Sequence, residues 1–500
     1  MKQNIKNKFW EIREELLVFL LAIWMLIPVF KDLKLTSAFT FRYEYIYMMI
    51  VGVIGGIFLI LDIYNNFEKK EYKKEILPII FFTIFMIWTL VSTVCSPNVN
   101  TALYGTAYRR EGYITYLTYA GFFSCAFLVK SKENRRELVN MFVVSALLNI
   151  IIVLLYNKGI GTGVFNRRNL GVTSFYHFNH YGYYLLLATV SANFLFITEK
   201  NKIMKIWYLI LYSFLLYYLI INDTFGCYLA LIVTLILYTI YCIYHKKNRS
   251  LAILSIIIFI LMSLLNKQTR RITQTNVEDM FVDIKKIINV IQVNHNEKDE
   301  TNNTITNQKM TNNKKKEITI ATTNKKANVT KTQELTNVTT NKKMNNTNIK
   351  EENNKAKDEV LSLAEKAGTG RLDLWINGIK FFLERPILGY GPDNLGAKYK
   401  EVEIREEDRN QDRPHNLLIQ LATTSGIIGL VTYVSAIGII LIRALKRMKM
   451  EDDVHVISFF VVIAYLISAM FGNSMYYTSP YFFIFLGLLM SENIIRIKNK

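Results

Sequence analysis

Four cysteines in 500 residues are too few for a disulfide scaffold, and none stands at a metal-ligand spacing. Cys95, Cys125, Cys227 and Cys242 all fall in or at the ends of apolar blocks, where a thiol behaves as a small buried apolar side chain. Proline is scarce too, at seven residues, while aromatic residues reach 13% and hydrophobic residues 51%. That composition excludes a chain that is disordered throughout. Acidic residues are outnumbered, 40 against 60 basic, for a net charge of +20. Such a charge could point to nucleic acid, but most lysines and arginines stand at the ends of apolar blocks, so no nucleic-acid partner is expected.

What is present in quantity is long apolar sequence. About twelve blocks approach the roughly 17–25 residues that a helix needs to cross a bilayer. They lie near 14–31, 45–63, 76–95, 112–129, 137–156, 181–198, 205–221, 224–244, 251–266, 416–442, 454–471 and 478–495. Lipid satisfies no backbone N–H or C=O, so each block is expected to be helical despite its β-branched and aromatic content. The fold expected is all-α and polytopic. Lys2, Lys6 and Lys8 ahead of the first block resemble a secretory signal, but no small-residue cleavage site follows Phe30, so an uncleaved first helix is expected.

Loop charge sets the expected orientation. The segments 1–13, 65–75, 130–136, 200–205, 245–249, 443–449 and the tail hold 25 basic residues, whereas the alternate short loops at 32–44, 96–111, 157–180, 222–223 and 472–479 hold seven. Both termini are therefore expected in the cytoplasm of a multi-pass cell-membrane protein. Residues 1–266 would supply nine spans, 267–415 a long extracytoplasmic loop, and 416–500 three more spans.

The long loop changes character along its length. Residues 293–356 form an Asn/Thr/Lys tract with too little apolar area to offset chain entropy, so disorder is expected. A tether to anionic polymer or lipid head groups is the functional alternative. Residues 278–292 read as a short amphipathic helix at the membrane surface. Within the structured part, 357–415, residues 357–366 carry a helix pattern and Leu372, Trp375, Ile376, Ile379 and Phe382 recur at helical spacing. That apolar face would rest on the bilayer or on the bundle. A Gly/Pro-dense turn follows at 386–392. Asp412 or Arg413 is the expected cap of the tenth span, with Pro414 at its first position. His415 would then sit at the positive end of a helix dipole, which favours the neutral imidazole.

Three words occur in order before the last three spans: Gly370-Arg371-Leu372-Asp373-Leu374-Trp375, Pro386-Ile387-Leu388-Gly389-Tyr390-Gly391, and His415-Asn416-Leu417-Leu418-Ile419-Gln420. Ser425-Gly426-Ile427-Ile428-Gly429 comes next, and Arg109-Arg110-Glu111-Gly112 and Asn179-His180-Tyr181-Gly182 lie in earlier outer loops. This pattern resembles the O-antigen ligase and polymerase superfamily of bacterial envelope proteins, most specifically over 368–430. The resemblance implies an integral-membrane glycosyltransferase that moves a glycan from an undecaprenyl-diphosphate carrier to an acceptor hydroxyl of a glycan or wall component, without metal, cofactor or nucleotide sugar. It implies that His415 activates the acceptor and that Arg371 holds the diphosphate. One departure stands out. Where many members carry an arginine at the start of the eighth span, this chain reads Asn222-Asp223-Thr224-Phe225-Gly226. Arg109, Arg110, Arg167 and Arg168 are the candidates to replace it.

The residue chemistry agrees with those roles. A histidine suits proton abstraction near neutral pH, although a helix-start histidine hydrogen-bonded to backbone is the bland alternative for His415. An arginine fork suits phosphate oxygens, although Arg371 could snorkel beside Trp375. Arg109 and Arg110 oppose the usual charge bias of an outer loop. Asn179 and Asn416 are candidate cleft residues. His177 and His180, three apart, lack an acidic or thiol partner for a metal. His245, His295 and His455 are expected to be solvated, and Asp223 to cap the eighth span, with a second base as its functional alternative. A flippase for lipid-linked glycans is the rival class. It would place charges and broken helices at the bilayer midplane in related halves, and neither is evident in the sequence. A non-catalytic scaffold would tolerate loss of His415 and Arg371.

Overall fold

The structure, a computed structural model, describes residues 2–32, 41–68, 76–107, 109–157, 175, 177–275, 277–278, 371–402, 411–449 and 453–498. The regular structure among them is helical. A helix covers each of the twelve apolar blocks: α1 Lys2–Asp32, α2 Phe41–Asn66, α3 Leu77–Val94, α5 Tyr113–Leu128, α6 Lys132–Asn157, α7 Phe178–Thr198, α8 Lys202–Ile221, α9 Phe225–His245, α10 Arg249–Leu264, α14 Leu417–Arg447, α15 Asp453–Ala469 and α16 Ser479–Lys498. Between them lie α4 Val99–Tyr104, α11 Lys267–Thr275, α12 Arg371–Glu384 and α13 Leu395–Glu401. Seven described helices are individually long and apolar enough to cross a membrane, eight if α10 and α11, which meet at 108°, count as one bent crossing. The expected helices at 278–292 and 357–366, the tract 293–356, Arg167, Arg168 and His295 lie outside the described residues.

The chain divides into two units, residues 1–276 with 374–500, and residues 277–373. In the first, α7 is central: 94% of its most apolar window is buried, against 22% for α2. Two of its polar members are paired inside, Ser191 with the Leu187 carbonyl at 2.8 Å and Asn193 with Ser255 at 2.7 Å. The outer faces instead show Val53, Ile57, Ile60, Ile206, Ile210 and Ile240, side chains that suit hydrocarbon. Small residues set some of the spacings. A Cβ on Gly121 would lie 2.2 Å from Gly52 Cα, so α5 and α2 approach at backbone contact.

The 31-residue helix α14 is broken. Gly426 adopts φ 65°, ψ −173° inside it, and the turn at 386–391 takes over the hydrogen bonds that the break releases. Tyr390 N and Gly391 N donate to the carbonyls of Thr423 and Thr424, and Ile427 N donates to Pro386 O. Trp88 Nε1 and Ser92 Oγ on α3 cover the carbonyls of Ser425 and Thr424 at 3.0 and 2.7 Å. Non-helical backbone is tolerated at membrane depth only where protein satisfies it, and here it does.

On α12, Leu374, Asn377, Gly378 and Phe381 are buried, Trp375, Ile376 and Phe382 are half-buried and Ile379 is exposed. Two expectations need correction. His455 is fully buried, its Nε2 2.9 Å from the Ala444 carbonyl, because the helix end at Asp453 is drawn inward by Arg136 and Lys132. Cys95 is exposed beyond α3, while the other three thiols are buried.

Candidate functional site

Five segments gather at one set of helix ends: 105–107 with 109–112 before α5, 177–180 at the start of α7, 389–394, 411–416 before α14, and 472–479 between α15 and α16. Their core is Arg413, whose side chain is 2% exposed. It donates to Glu111, to Asp393 Oδ1 at 2.6 Å and to the Ser474 carbonyl at 3.1 Å. Glu111 also accepts from Tyr119 at 2.8 Å and Ser474 Oγ at 3.0 Å. Asp393 Oδ2 accepts from the Thr106 amide at 2.6 Å and its hydroxyl at 3.0 Å. Burial disfavours the Arg413 charge, but Asp393 and Glu111 outweigh it and hold the guanidinium well above its ordinary pKa.

Arg109 forms the second layer. Its fork meets Asp412 with Nε to Oδ2 at 2.9 Å and Nη2 to Oδ1 at 2.8 Å, the bidentate geometry that arginine makes with carboxylates. Burial opposes the Asp412 charge, yet Arg109, aided by Arg413 and His415, holds that carboxyl below its usual range. The two ion pairs fix the loop on either side of one residue boundary, between Asp412 and Arg413.

His415 follows after Pro414, at φ +53°. Its Nε2 stands 2.7 Å from Gln411 Oε1 and 3.3 Å from Asn473 Nδ2, which is also 3.5 Å from Nδ1. With the Gln411 oxygen accepting, Nε2 carries the proton and Nδ1 the lone pair. Helix α14 starts only after it. Asn416, not Asp412 or Arg413, is the N-cap: its Oδ1 accepts from Leu418 N at 3.0 Å and Ile419 N at 3.2 Å, and its amide donates to Met470 O at 3.2 Å. Asp412 and Arg413 cannot cap because both are committed to ion pairs, and Pro414 lies two residues before the cap.

The other sequence-predicted residues are placed as follows. Arg371 is the first residue of α12. Arg110 has φ +50°, and its carbonyl accepts from Thr115 Oγ1. Asn179 lies in the first turn of α7, its amide capped by His177 Nδ1 at 3.2 Å. At the departure from the family pattern, the Phe225 ring packs edge-on against Phe471. The cap position of α9 is Thr224 rather than Asp223; Asp223 takes φ +56°, a turn conformation. Thus the ion pairs and hydrogen bonds bring Arg109 and His415 into one polar assembly, with Gln411, Asn473, Ser474 and Asp393, none of which the sequence singled out. A faint signal existed: Glu111 and Arg413 are adjacent in sequence to named residues, and both are charges at the edge of apolar blocks.

Among the described residues no group of three His, Cys, Asp or Glu side chains is placed to hold a metal. A separate cavity of about 140 Å³, lined by Leu59, Ile79, Phe82, Met86, Phe123 and Phe483 among others, is apolar and holds no titratable group.

A bundle of membrane-length helices with a dense charged and imidazole-bearing cluster at one end defines a multi-pass membrane protein. Residues 209–434, a little under half of the chain, match the family model described as O-antigen ligase, in line with the resemblance seen in the sequence words. That family implies glycan transfer in polysaccharide assembly. No curated protein matches the chain. The matched segment contains Arg371, Arg413 and His415, whereas Arg109, Glu111, Asn473 and Ser474 reach the cluster from outside it.

Proposed function

We propose that this protein transfers or polymerises a glycan carried on undecaprenyl diphosphate, at the outer face of the cytoplasmic membrane, onto a hydroxyl of a growing glycan or wall component. The observation that carries the reading is His415, held outside the helix it precedes by Gln411 and Asn473, within the segment that matches the family. The acceptor hydroxyl gives its proton to the imidazole as its oxygen bonds to the anomeric carbon. The bond from that carbon to the diphosphate breaks, and its electron pair leaves on the phosphate oxygen. General-base assistance of this kind contributes roughly 10²–10⁴-fold.

Arg371 is assigned to the diphosphate on the strength of the word it opens, because a planar fork pairs with phosphate oxygens in two places. Arg109 and Asn416, proposed from sequence as substrate contacts, serve this reading as positioning residues: one clamps Asp412, the other caps α14. Arg110 and Asn179 stay as contacts to test. No metal or cofactor enters the scheme. With twelve crossings, both termini cytoplasmic and the segment 267–415 outside, His415 would face the side on which lipid-linked glycans are consumed.

The test is a reconstituted assay with undecaprenyl-diphosphate glycan, followed by sizing of the product. His415→Ala is expected to abolish transfer while the protein still inserts and elutes as the wild type does. A product ladder identifies a polymerase and a single transfer a ligase. Donor moved intact between leaflets would overturn the reading in favour of a flippase, and normal product from the His415→Ala protein would remove the base assignment.

A further inference from the structure

The turn between α10 and α11 is held by side chains. Asn266 and Thr269 cap α11 reciprocally: Thr269 N donates to Asn266 Oδ1 at 3.0 Å, and Asn266 N donates to Thr269 Oγ1 at 3.2 Å. The Asn266 side-chain amide also donates to the Tyr217 hydroxyl on α8 at 3.1 Å, and Thr269 is fully buried. These contacts fix the 108° between α10 and α11. Two lengths then place the turn in depth. With 16 residues, α10 rises about 24 Å, short of the roughly 30 Å hydrocarbon core. Tyr217 stands four residues before the end of α8 at Ile221, about one helical turn below it. With α10 crossing the bilayer, α11 therefore runs near the membrane plane, in the leaflet opposite the 245–249 loop, at the level where acyl chains meet head groups.

The helix is one-sided. Lys267, Arg270, Arg271 and Gln274 fall on one helical face and are all exposed, whereas Thr269 is buried and Ile272 packs half-buried against the bundle. Leu264 and Leu265, just before the turn, are 54% and 59% exposed and suit hydrocarbon. No Asp or Glu occurs between Arg249 and Val277, so no neighbour along the chain balances the three cations. A lysine or arginine rooted at the edge of the hydrocarbon extends its stem through it and carries its charge to the phosphate level. Three cations spread along an exposed face, rather than converging on one point, suit the head groups of surrounding lipid. We propose that α11 is a docking surface for anionic phospholipid, with Lys267, Arg270 and Arg271 taking its phosphates.

The docking surface requires α10 to cross the bilayer and is independent of the glycan chemistry. Full-length protein carrying Cys95→Ser and Gln274→Cys takes a fluorophore on the basic face and is reconstituted in phosphatidylcholine nanodiscs. Quenching is compared for phosphatidylglycerol and phosphatidylcholine that bear the same spin label high on the acyl chain. Phosphatidylglycerol is expected to occupy the face about tenfold more readily at equal mole fraction, because each basic residue at the surface adds to the attraction. Lys267→Gln, Arg270→Gln and Arg271→Gln together are expected to erase the difference, whereas Lys267→Arg, Arg270→Lys and Arg271→Lys together keep it. High salt should shrink it with the basic face intact, which covers the case in which the neutral variant fails to fold. Equal quenching by both lipids with the basic face intact, or a preference that survives the neutral variant, overturns the docking surface. Quenching by neither lipid would show that the face meets water and overturns it too. Loss of the preference on adding undecaprenyl diphosphate, stoichiometric with the protein, would assign the face to that lipid and overturn bulk phospholipid as its occupant.

Discussion

Arg413 is the residue on which the polar end most depends. Removing one partner of a buried, hydrogen-bonded ion pair costs roughly 3–5 kcal/mol, because the remaining charges stay buried. Arg413→Met is expected to lose about that much, seen as a sharply lower Tm in detergent, while the triple variant Arg413→Met, Glu111→Gln, Asp393→Asn regains most of it. A triple variant no more stable than the single one would show that the arginine acts through its shape. His177 gives a second prediction. Burial, then the charge of Arg109, push its pKa below 6.5, so the unfolded chain takes up the proton first. Stability is therefore lost as pH falls below about 6.5. His177→Asn keeps a capping oxygen for the Asn179 amide and removes the titration, so its Tm should fall less between pH 7.5 and 5.5 than that of the wild type. At this scale the sequence was partly legible. His415 stood out through its motif, and Arg109 through a charge against the loop bias. Gln411 and Asn473 did not, because an uncharged amide acquires meaning only from the group it faces.

At the scale of elements, the twelve apolar blocks were readable because lipid permits one backbone solution for such runs. The breaks were not readable. Apolar density marks 416–442 as one helix, yet Gly426 interrupts it, and the partner that satisfies the break is the turn at 386–391, well upstream in sequence. The break predicts its own sensitivity. A Cβ at position 426 would fall 1.9 Å from the Ile387 carbonyl, and the extended positive-φ backbone adds roughly 1–3 kcal/mol for a residue with a Cβ. Gly426→Ala should thus lower Tm and folded yield more than Trp88→Phe, which forfeits only the indole hydrogen bonds to Ser425 and Ile387, about 1 kcal/mol net. The reverse order would mean that the turn at 386–391 does not depend on the break.

For the whole molecule, orientation joins the chemistry to its substrate. A glycan on a lipid diphosphate reaches an acceptor outside the cell only if the cluster around His415 faces outward, and the charge asymmetry of the loops, 25 basic residues against seven, supports that. The exposed Cys95 beyond α3 is a natural reporter, because its loop precedes Arg109 and leads into the cluster. In intact cells an impermeant maleimide should label Cys95. In a Cys95→Ser background it should label Thr340→Cys in the Asn/Thr/Lys tract, and should leave Lys70→Cys unlabelled until the membrane is opened. Deleting 293–356 should leave transfer unchanged if the tract is a spacer, and reduce it if the tract tethers anionic polymer. The inverted labelling pattern would carry Arg413, His415 and His180 to the cytoplasmic side together, since hydrogen bonds and ion pairs through 473–477 lock them to one end of the bundle, and no external acceptor could then reach the imidazole.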